Sequence, residues 1–360
     1  MPSPAPAPAP DLPLAHLAPP TTAVRTGHFQ TLHPSPTSAL ITDAIHGAVE
    51  LAEPVLLDLL AAPAVRRLAG VHQHGVTGLL GHTARVTRLE HSVGAMLLVR
   101  RAGGGLEEQV AALLHDVSHT VLSHVVDCAF PPGARGSFHE DEKERYVATT
   151  SLPALLRAHG LDPSAVLDEE AYPLVERPAP HLCADRLDYG LRDAAAFGVL
   201  SVADARATAA DVLAYPSATA ADRTLALRDP GLALALARAY AAADAAVWAN
   251  PSFSALYVRT GAIIAAMVAD GRVRDAELWA LSDEQFWQTL KERASAEEQA
   301  ELRDIEGVLP PPRRLEGSAK IRTLDPDVVV PGGLVPLSTV RPEWAAEREA
   351  YIAKRRAEPW

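Results

Sequence analysis

Apolar positions beyond residue 42 recur mostly at helical spacing. Leu89, Val93, Met96 and Leu97 fall on one stripe, and Val110, Leu113, Leu114 and Val117 repeat at i, i+3, i+4 and i+7, the pattern of helices with one face on a core. Gly103-Gly104-Gly105 separates the two runs, predicting two helices that pack antiparallel across a short turn. That arrangement puts the start of the first helix, with His91, beside the end of the second, with His115. Another helical block is predicted from about 229 to 306, with Asp283 capping a helix that opens Glu284-Gln285-Phe286, and Pro310 to Pro312 closing the block. Two β-prone runs, 320–324 and 328–330, flanked by Asp-Pro and Gly-Gly, predict one hairpin before a charged helix from Pro342. The expected fold is therefore all-α with a short β-prone C-terminal tail. Its parts are a helical core over 39–211, a packed helical extension over 212–308, and a Pro-rich linker with the tail over 309–360. The opening Pro/Ala repeat has no basic or apolar region of a signal peptide, so residues 1–38 are expected to form an extended, disordered tail.

Composition narrows the function more than the fold. With 33 Lys+Arg against 45 Asp+Glu the net charge is -12, which argues against a nucleic-acid coat protein and against duplex nucleic acid as a partner. Two cysteines, Cys128 and Cys183, are too few for a disulfide framework and suit a reducing compartment, cytoplasmic or nuclear. No uninterrupted apolar run approaches the roughly 18 residues of a membrane span; 261–268 is among the longest, so no membrane partner is expected. Nothing in the pattern sets the oligomeric state, and a homo-oligomer remains open. Of the 14 histidines, many lie between His72 and His139, a density that favours metal chemistry.

Alone, His115-Asp116 reads as a capping pair satisfied by backbone and water. It follows the apolar run Val110-Ala111-Ala112-Leu113-Leu114, where two ionisable side chains are costly to bury unpartnered. A divalent cation is the simplest partner, and imidazole with carboxylate suits Mn, Fe, Zn or Mg without selecting among them. Further candidates cluster nearby: Arg88 and His91 upstream, His119, His124, Asp127 and His139 just after, and Asp185, Tyr189 and Asp193 downstream at a spacing of four that lines one helix face. Asp188 reads as a structural acceptor rather than a ligand. A basic funnel of Arg66, Arg67, Arg85 and Arg88 would collect phosphates.

Taken in order, His91, His115-Asp116 and Asp185 resemble the H…HD…D signature of the HD-domain metal-dependent phosphohydrolases. The branch that looks most similar holds the mammalian deoxynucleoside triphosphate triphosphohydrolase and its bacterial relatives. Asp43 to Leu51, Arg67 to Gly75, Arg88 to Ser92, His115 to His124 and Asp185 to Asp193 carry the likeness, over about 42–202. The resemblance implies a mainly helical HD-domain fold and one divalent ion on His91, His115, Asp116 and Asp185. It implies proton transfer and phosphate contact by His119, His124, Asp127 and His139, and substrate binding by Gln73, His74, Arg88, Arg186, Tyr189 and Asp193. The substrate would be a nucleotide or another phosphorylated small molecule, with a deoxynucleoside triphosphate cleaved to nucleoside and triphosphate in the close branch. A nucleoside monophosphate phosphatase, another specialised phosphatase and a silent nucleotide sensor are the alternatives.

The departures concern substrate. His74 stands where the branch has an apolar residue beside the sugar, Thr120 and Val121 replace a Gly and a Pro, and Arg186 replaces a Lys. Beyond Arg238-Ala239-Tyr240 the mammalian enzyme's allosteric portion has no counterpart. Lys320 and Arg322 read as a solvated edge strand, with contact to an anion as the alternative.

Overall fold

In the computed structural model the described residues are 24–130, 133, 136–312 and 320–357; the Pro/Ala repeat lies outside them. The protein is mainly helical, with two small four-stranded sheets. The helix Arg88–Arg101 is its centre. Thr87 caps it by accepting from the Glu90 backbone, and every residue from Arg88 to Val99 is buried. This helix shows no exposed face because it is covered by Leu106–Leu114 on one side and Ala184–Ala196 on another. The glycine turn acts as expected: Gly103 adopts φ +84°, a conformation that favours glycine. His91 and His115 consequently meet.

The first sheet corrects the expected tail. Strands β1 (Val24–Arg25), β2 (Gln30–Pro34), β3 (Ala39–Asp43) and β4 (Gly47–Leu51) form an antiparallel meander, with Leu32 opposite Ile41 and Ile41 opposite Val49. Residues 24–38, expected in the disordered tail, thus contribute two strands of this sheet. The alternation of β3 turns Ala39, Ile41 and Asp43 inward, and the sheet is tied to the central helix by Glu90, whose carboxylate accepts from the His28 (2.7 Å) and Phe29 (2.5 Å) backbone N–H groups. These anchors are polar and lie 62 and 61 residues away, so hydropathy does not reveal them.

A second sheet joins β5 (Val212–Tyr215), β6 (Thr224–Leu227), β7 (Asp327–Val330) and β8 (Gly333–Pro336) in that order, with β6 and β7 parallel through Leu227 and Val328. The hairpin in the tail is β7–β8, not one that includes 320–324, which are irregular. The expected helix from Pro342 is present, Pro342–Ala357. The helix Asp283–Arg293 is capped by Ser282 with Gln285 in a capping box, leaving Asp283 for another task described below. Helix Pro251–Ala269 is, among the described residues, long and apolar enough to cross a membrane by length and composition, which the count of uninterrupted runs did not anticipate. Its Leu256, Ile263, Ile264 and Met267 are buried in the core, and Arg259 pairs with Glu301 and Asp304, as in a core helix of a globular protein.

Beneath the future site lies a fully buried ionic network. Arg192 reaches Asp188 (2.8 Å), Asp43 (2.9 Å) and Glu90 (3.1 Å). Burial pushes the Glu90 carboxyl up, whereas at Asp188 burial is outweighed by Arg192, His46 and His91, which hold it well below the usual carboxylate range. Gly94 leaves room for this network, since a Cβ there would collide with Asp188 and Arg192. Breaking a buried ion group by removing one partner costs about 3–5 kcal/mol. Arg192→Leu is therefore expected to lower unfolding stability by about that amount, measured by urea titration; an unchanged midpoint would show that the network carries no net stability.

Candidate active site

Four side chains from three helices converge. His91 comes from the first turn of the central helix, His115 and Asp116 from the end of Leu106–Leu114, and Asp185 from the first turn of Ala184–Ala196. His91 Nε2 lies 3.1 Å from His115 Nε2 and 3.0 Å from Asp185 Oδ1; His115 Nε2 is 3.4 Å from that oxygen. Asp116 approaches the two imidazoles at 3.6 and 3.7 Å. The tautomers follow from the opposite ring atoms. His115 Nδ1 faces the Ala112 carbonyl at 2.7 Å and His91 Nδ1 faces the ionised Asp188 at 2.9 Å, so both Nδ1 atoms donate and, in the neutral rings, both Nε2 atoms present lone pairs to each other. Two lone pairs and two carboxylates crowded this way repel unless a cation stands among them. Ligands about 2.1 Å from one ion in cis positions are about 3.0 Å apart, so His91, His115 and Asp185 fit a divalent metal, with Asp116 beside them at a longer distance and paired with Arg88. A proton answers the same electrostatic demand: burial depresses His115, but Asp116 and Asp185 outweigh it and push its pKa up to about 10.

Beside this cluster stands a second group of imidazoles. His119 Nε2 is 3.2 Å from Asp116 Oδ1, and its ring stacks on His139 at 3.6 Å. Burial, Arg88 and His139 hold His119 well below its usual pKa, against the pull of Asp116, so the stacked ring is neutral. His124 sits edge-on to both rings, at 5.0 and 5.5 Å, and its Nδ1 meets Asp127 Oδ2 at 2.9 Å. The His124 side chain is half exposed, but into a deep cavity; the confinement lowers its pKa, with Arg88 and His139 adding to the effect and Asp127 opposing it. His139 in turn contacts Glu140 at 3.0 Å, and the buried Lys143 bridges Glu140 and Glu169 at 3.0 and 3.1 Å. Burial and the neighbouring Glu140 raise the Glu169 carboxyl to about 7 despite Lys143.

The loop carrying these histidines is strained and clamped. Leu122 and Ser123 have φ +56° and +48°, a conformation uncommon for residues with side chains. Asp283 holds it, accepting from the Leu122 N–H at 2.7 Å and from the His72 N–H at 2.8 Å. Arg67 secures the turn from behind, donating to the carbonyls of Val117 and His119 at 2.7 Å each. Asp283 was legible only as a cap; its loop partners lie about 160 and 210 residues away. Arg67 also corrects the expected basic funnel, because it is turned into the protein and Arg85 donates to the Leu79 carbonyl. Of the four arginines only Arg88 lines the cavity.

The cavity has a volume of about 1700 Å³ and is lined by His115, Asp116, Asp185, the three clustered histidines and Asp127. Gln73, His74, Arg88, Arg186, Tyr189 and Asp193 line it too, but several are engaged within the protein. Arg88 donates to Asp116 at 2.7 Å and Ser123 at 3.1 Å; Arg186 donates to Glu176 at 3.2 Å and to two backbone carbonyls. Both Asp193 oxygens are occupied, by His74 at 3.0 Å and the Trp248 indole N–H at 2.8 Å. Trp248, Phe253 and Tyr257 are lining residues that sequence reasoning missed, and Lys320 and Arg322, read there as a solvated edge with anion contact as the alternative, line the cavity as well. Phe253 and Tyr257 are four apart on one helix face, a readable signal; the others reach the cavity through tertiary packing.

A buried imidazole–carboxylate set suited to a divalent cation, at the wall of a polar cavity, is an arrangement that metal-dependent hydrolases use. The chain is 51% identical over 324 residues to the metal-dependent phosphohydrolase cns2 of Cordyceps militaris, covering 88% of this chain and 93% of that protein, and it belongs to the metal-dependent phosphohydrolase family. It is also 42% identical over 167 residues to the uncharacterized protein YdhJ of Bacillus subtilis, and 28% identical over 211 residues to the deoxynucleoside triphosphate triphosphohydrolase SAMHD1 of Danio rerio. Those matches cover 46% and 44% of this chain, and 51% and 34% of the respective relatives. No family profile matches the chain.

Proposed function

We propose that the chain hydrolyses a phosphoester of a nucleotide, and that the substrate is a nucleoside or deoxynucleoside triphosphate released as nucleoside and triphosphate. The observation that carries this reading is the cavity, in which the metal-type cluster and the histidine group share one space with Trp248, Phe253 and Tyr257. Sites for whole small molecules span roughly 300–1,000 Å³ and are walled by aromatic side chains; a cavity of about 1700 Å³ far exceeds the needs of orthophosphate. The similarity to SAMHD1 supports the nucleotide.

In this reading His91, His115, Asp116 and Asp185 hold one divalent ion, which when bound supplies a water of lowered pKa and neutralises phosphoryl charge. Arg88 fixes Asp116 and has N–H groups left for a phosphoryl oxygen. His119 stays neutral and steadies Asp116 from the other side. His124, oriented by Asp127, delivers the proton that the leaving oxygen needs, while His139 shapes the pocket around it. Gln73, His74, Tyr189 and Asp193 form the wall for the sugar.

The second reading, a nucleoside monophosphate phosphatase or another specialised phosphatase, is favoured by the pairing of Arg88 with Asp116 and of Arg186 with Glu176, which leaves little free positive charge beside the cluster. Protein with its metals quantified should be incubated with Mn and a panel of ribo- and deoxyribonucleoside mono-, di- and triphosphates, and the products resolved by mass. Inorganic triphosphate plus nucleoside supports the first reading and orthophosphate from monophosphates the second. A metal-loaded protein that turns over none of the panel would reject both in favour of a sensor.

His74→Leu tests the sugar wall. The change frees Asp193 Oδ1 to accept from a sugar hydroxyl, and one such hydrogen bond is worth about 0.5–1.5 kcal/mol. The ratio of ribo- to deoxyribonucleotide kcat/KM should rise about threefold to tenfold; an unchanged ratio places sugar discrimination elsewhere.

A further inference from the structure

Among the charged residues that line the cavity Asp and Glu outnumber Lys and Arg, and the cations differ in how far they are already used. Arg88 is paired with Asp116, Lys143 with Glu140 and Glu169, and Arg186 with Glu176. Lys320 and Arg322 also line the cavity. Among the described residues Lys320 makes no ion pair, and the carboxylate facing the Arg322 guanidinium, Asp244, is 3.6 Å away. Asp244 is itself shared: it accepts from the Tyr351 hydroxyl at 2.8 Å and from the Arg322 backbone N–H at 3.3 Å. Lys320, with no ion pair among the described residues, and Arg322, held at 3.6 Å by a carboxylate it shares with other groups, therefore stand at one end of a cavity whose other Lys and Arg side chains are more closely paired.

The segment that carries them is held firmly. Leu324 is fully buried, its carbonyl accepts from the Trp344 indole at 3.1 Å, Asp325 N–H donates to the Pro180 carbonyl at 3.0 Å, and the Asp325 carboxylate takes the Ser338 N–H and hydroxyl. The following strand β7 joins the second sheet through β6. Arg322 thus immediately precedes a segment anchored to Trp344, Pro180, Ser338 and the second sheet. Its guanidinium lies 5.9 Å from the Trp248 ring, on a π-helical turn, Asp244–Trp248, that supplies both the anchoring carboxylate and the wall. Such turns recur at functional sites. Ring-to-ring steps of 6.3 Å from His91 to Tyr189 and 5.3 Å from Tyr189 to Trp248 connect the metal-type cluster to this end.

We propose that Lys320 and Arg322, brought in by the C-terminal segment, form a second anion subsite that binds phosphate groups of the substrate beyond the one being hydrolysed. The proposal rests on the nucleotide reading above and extends it: the tail selects for substrates with additional phosphates. Binding of polyphosphate to cations is charge-assisted and, where water is partly excluded, strong.

The test compares KM for adenosine mono- and triphosphate, and their deoxy forms, in the wild-type protein, K320Q and K320Q/R322Q, with thermal midpoints measured alongside. The double variant is expected to raise KM for the triphosphates about tenfold more than KM for the monophosphates, a loss of roughly 1.4 kcal/mol. Lys320 is exposed, so K320Q folds and should show a smaller shift of the same kind. Parallel changes for both classes, or none, would overturn the subsite. Should the wild-type protein turn over no nucleotide, the nucleotide reading fails by itself, and calorimetric titration with inorganic tripolyphosphate decides the subsite: about tenfold weaker binding to the double variant supports it, equal binding overturns it.

Discussion

Asp185→Ala should lose its metal and its hydrolytic activity together. Asp185 Oδ1 lies within 3.0 and 3.4 Å of the two imidazole lone pairs, and without it Asp116 is left as the nearby carboxylate facing both. Removing even an outer-shell partner of a metal ligand costs about 10–100-fold in affinity or activity; losing a charged direct ligand should exceed that, with turnover down by roughly 10³ or more. Metal content by mass spectrometry and nucleotide hydrolysis should be measured on the same preparation, with Asp185→Asn as a control of similar shape. Full metal and full activity in the alanine variant would reject the site. A proton balance accompanies this prediction. With its pKa raised to about 10, His115 in the metal-free protein is protonated at pH 7, so metal uptake there releases a proton and apparent affinity climbs with pH toward 10.

His124→Ala is expected to lower kcat by about 10² to 10⁴, the usual contribution of a positioned acid, when the leaving group is a nucleoside. With p-nitrophenyl phosphate, whose phenolate leaves without a proton, the loss should be far smaller. His124 is assigned this role over His119 because His119 is buried, stacked on His139 and held well below its usual pKa, whereas His124 faces the cavity and is oriented by Asp127. The pH dependence carries the sign of the same contacts. Donation is lost as pH rises through the His124 pKa, and Asp127 is what props that pKa up against burial. Asp127→Asn should therefore move the high-pH limb of the rate profile to lower pH. Equal losses on both substrates, or an unmoved limb, would assign His124 to binding instead.

Helical spacing determined a good deal of this. The stripes at Leu89–Leu97 and Val110–Val117, with the glycines between them, were enough to bring His91 and His115 together, because an antiparallel helix pair leaves few other arrangements for two apolar faces. The i, i+4 spacing of Asp185, Tyr189 and Asp193 likewise placed three side chains on the cavity wall, a consequence of the 3.6-residue turn. The nature of Asp188 as a structural acceptor was legible too; it bonds His46 and His91.

Tertiary structure decided what those side chains have left to offer. Arg67 looked like a phosphate collector and is spent on loop carbonyls; Asp193 lines the cavity with its oxygens already bonded to His74 and Trp248; Lys320 and Arg322 looked like a solvated edge and reach the cavity. Asp283, read as a cap, clamps a loop far away in the chain. Periodicity reports which face of an element is apolar, since burial area is a local property of the pattern. The pairing of a polar group depends on direction and distance to partners that loops and sheets bring from anywhere in the chain, and no local pattern encodes that.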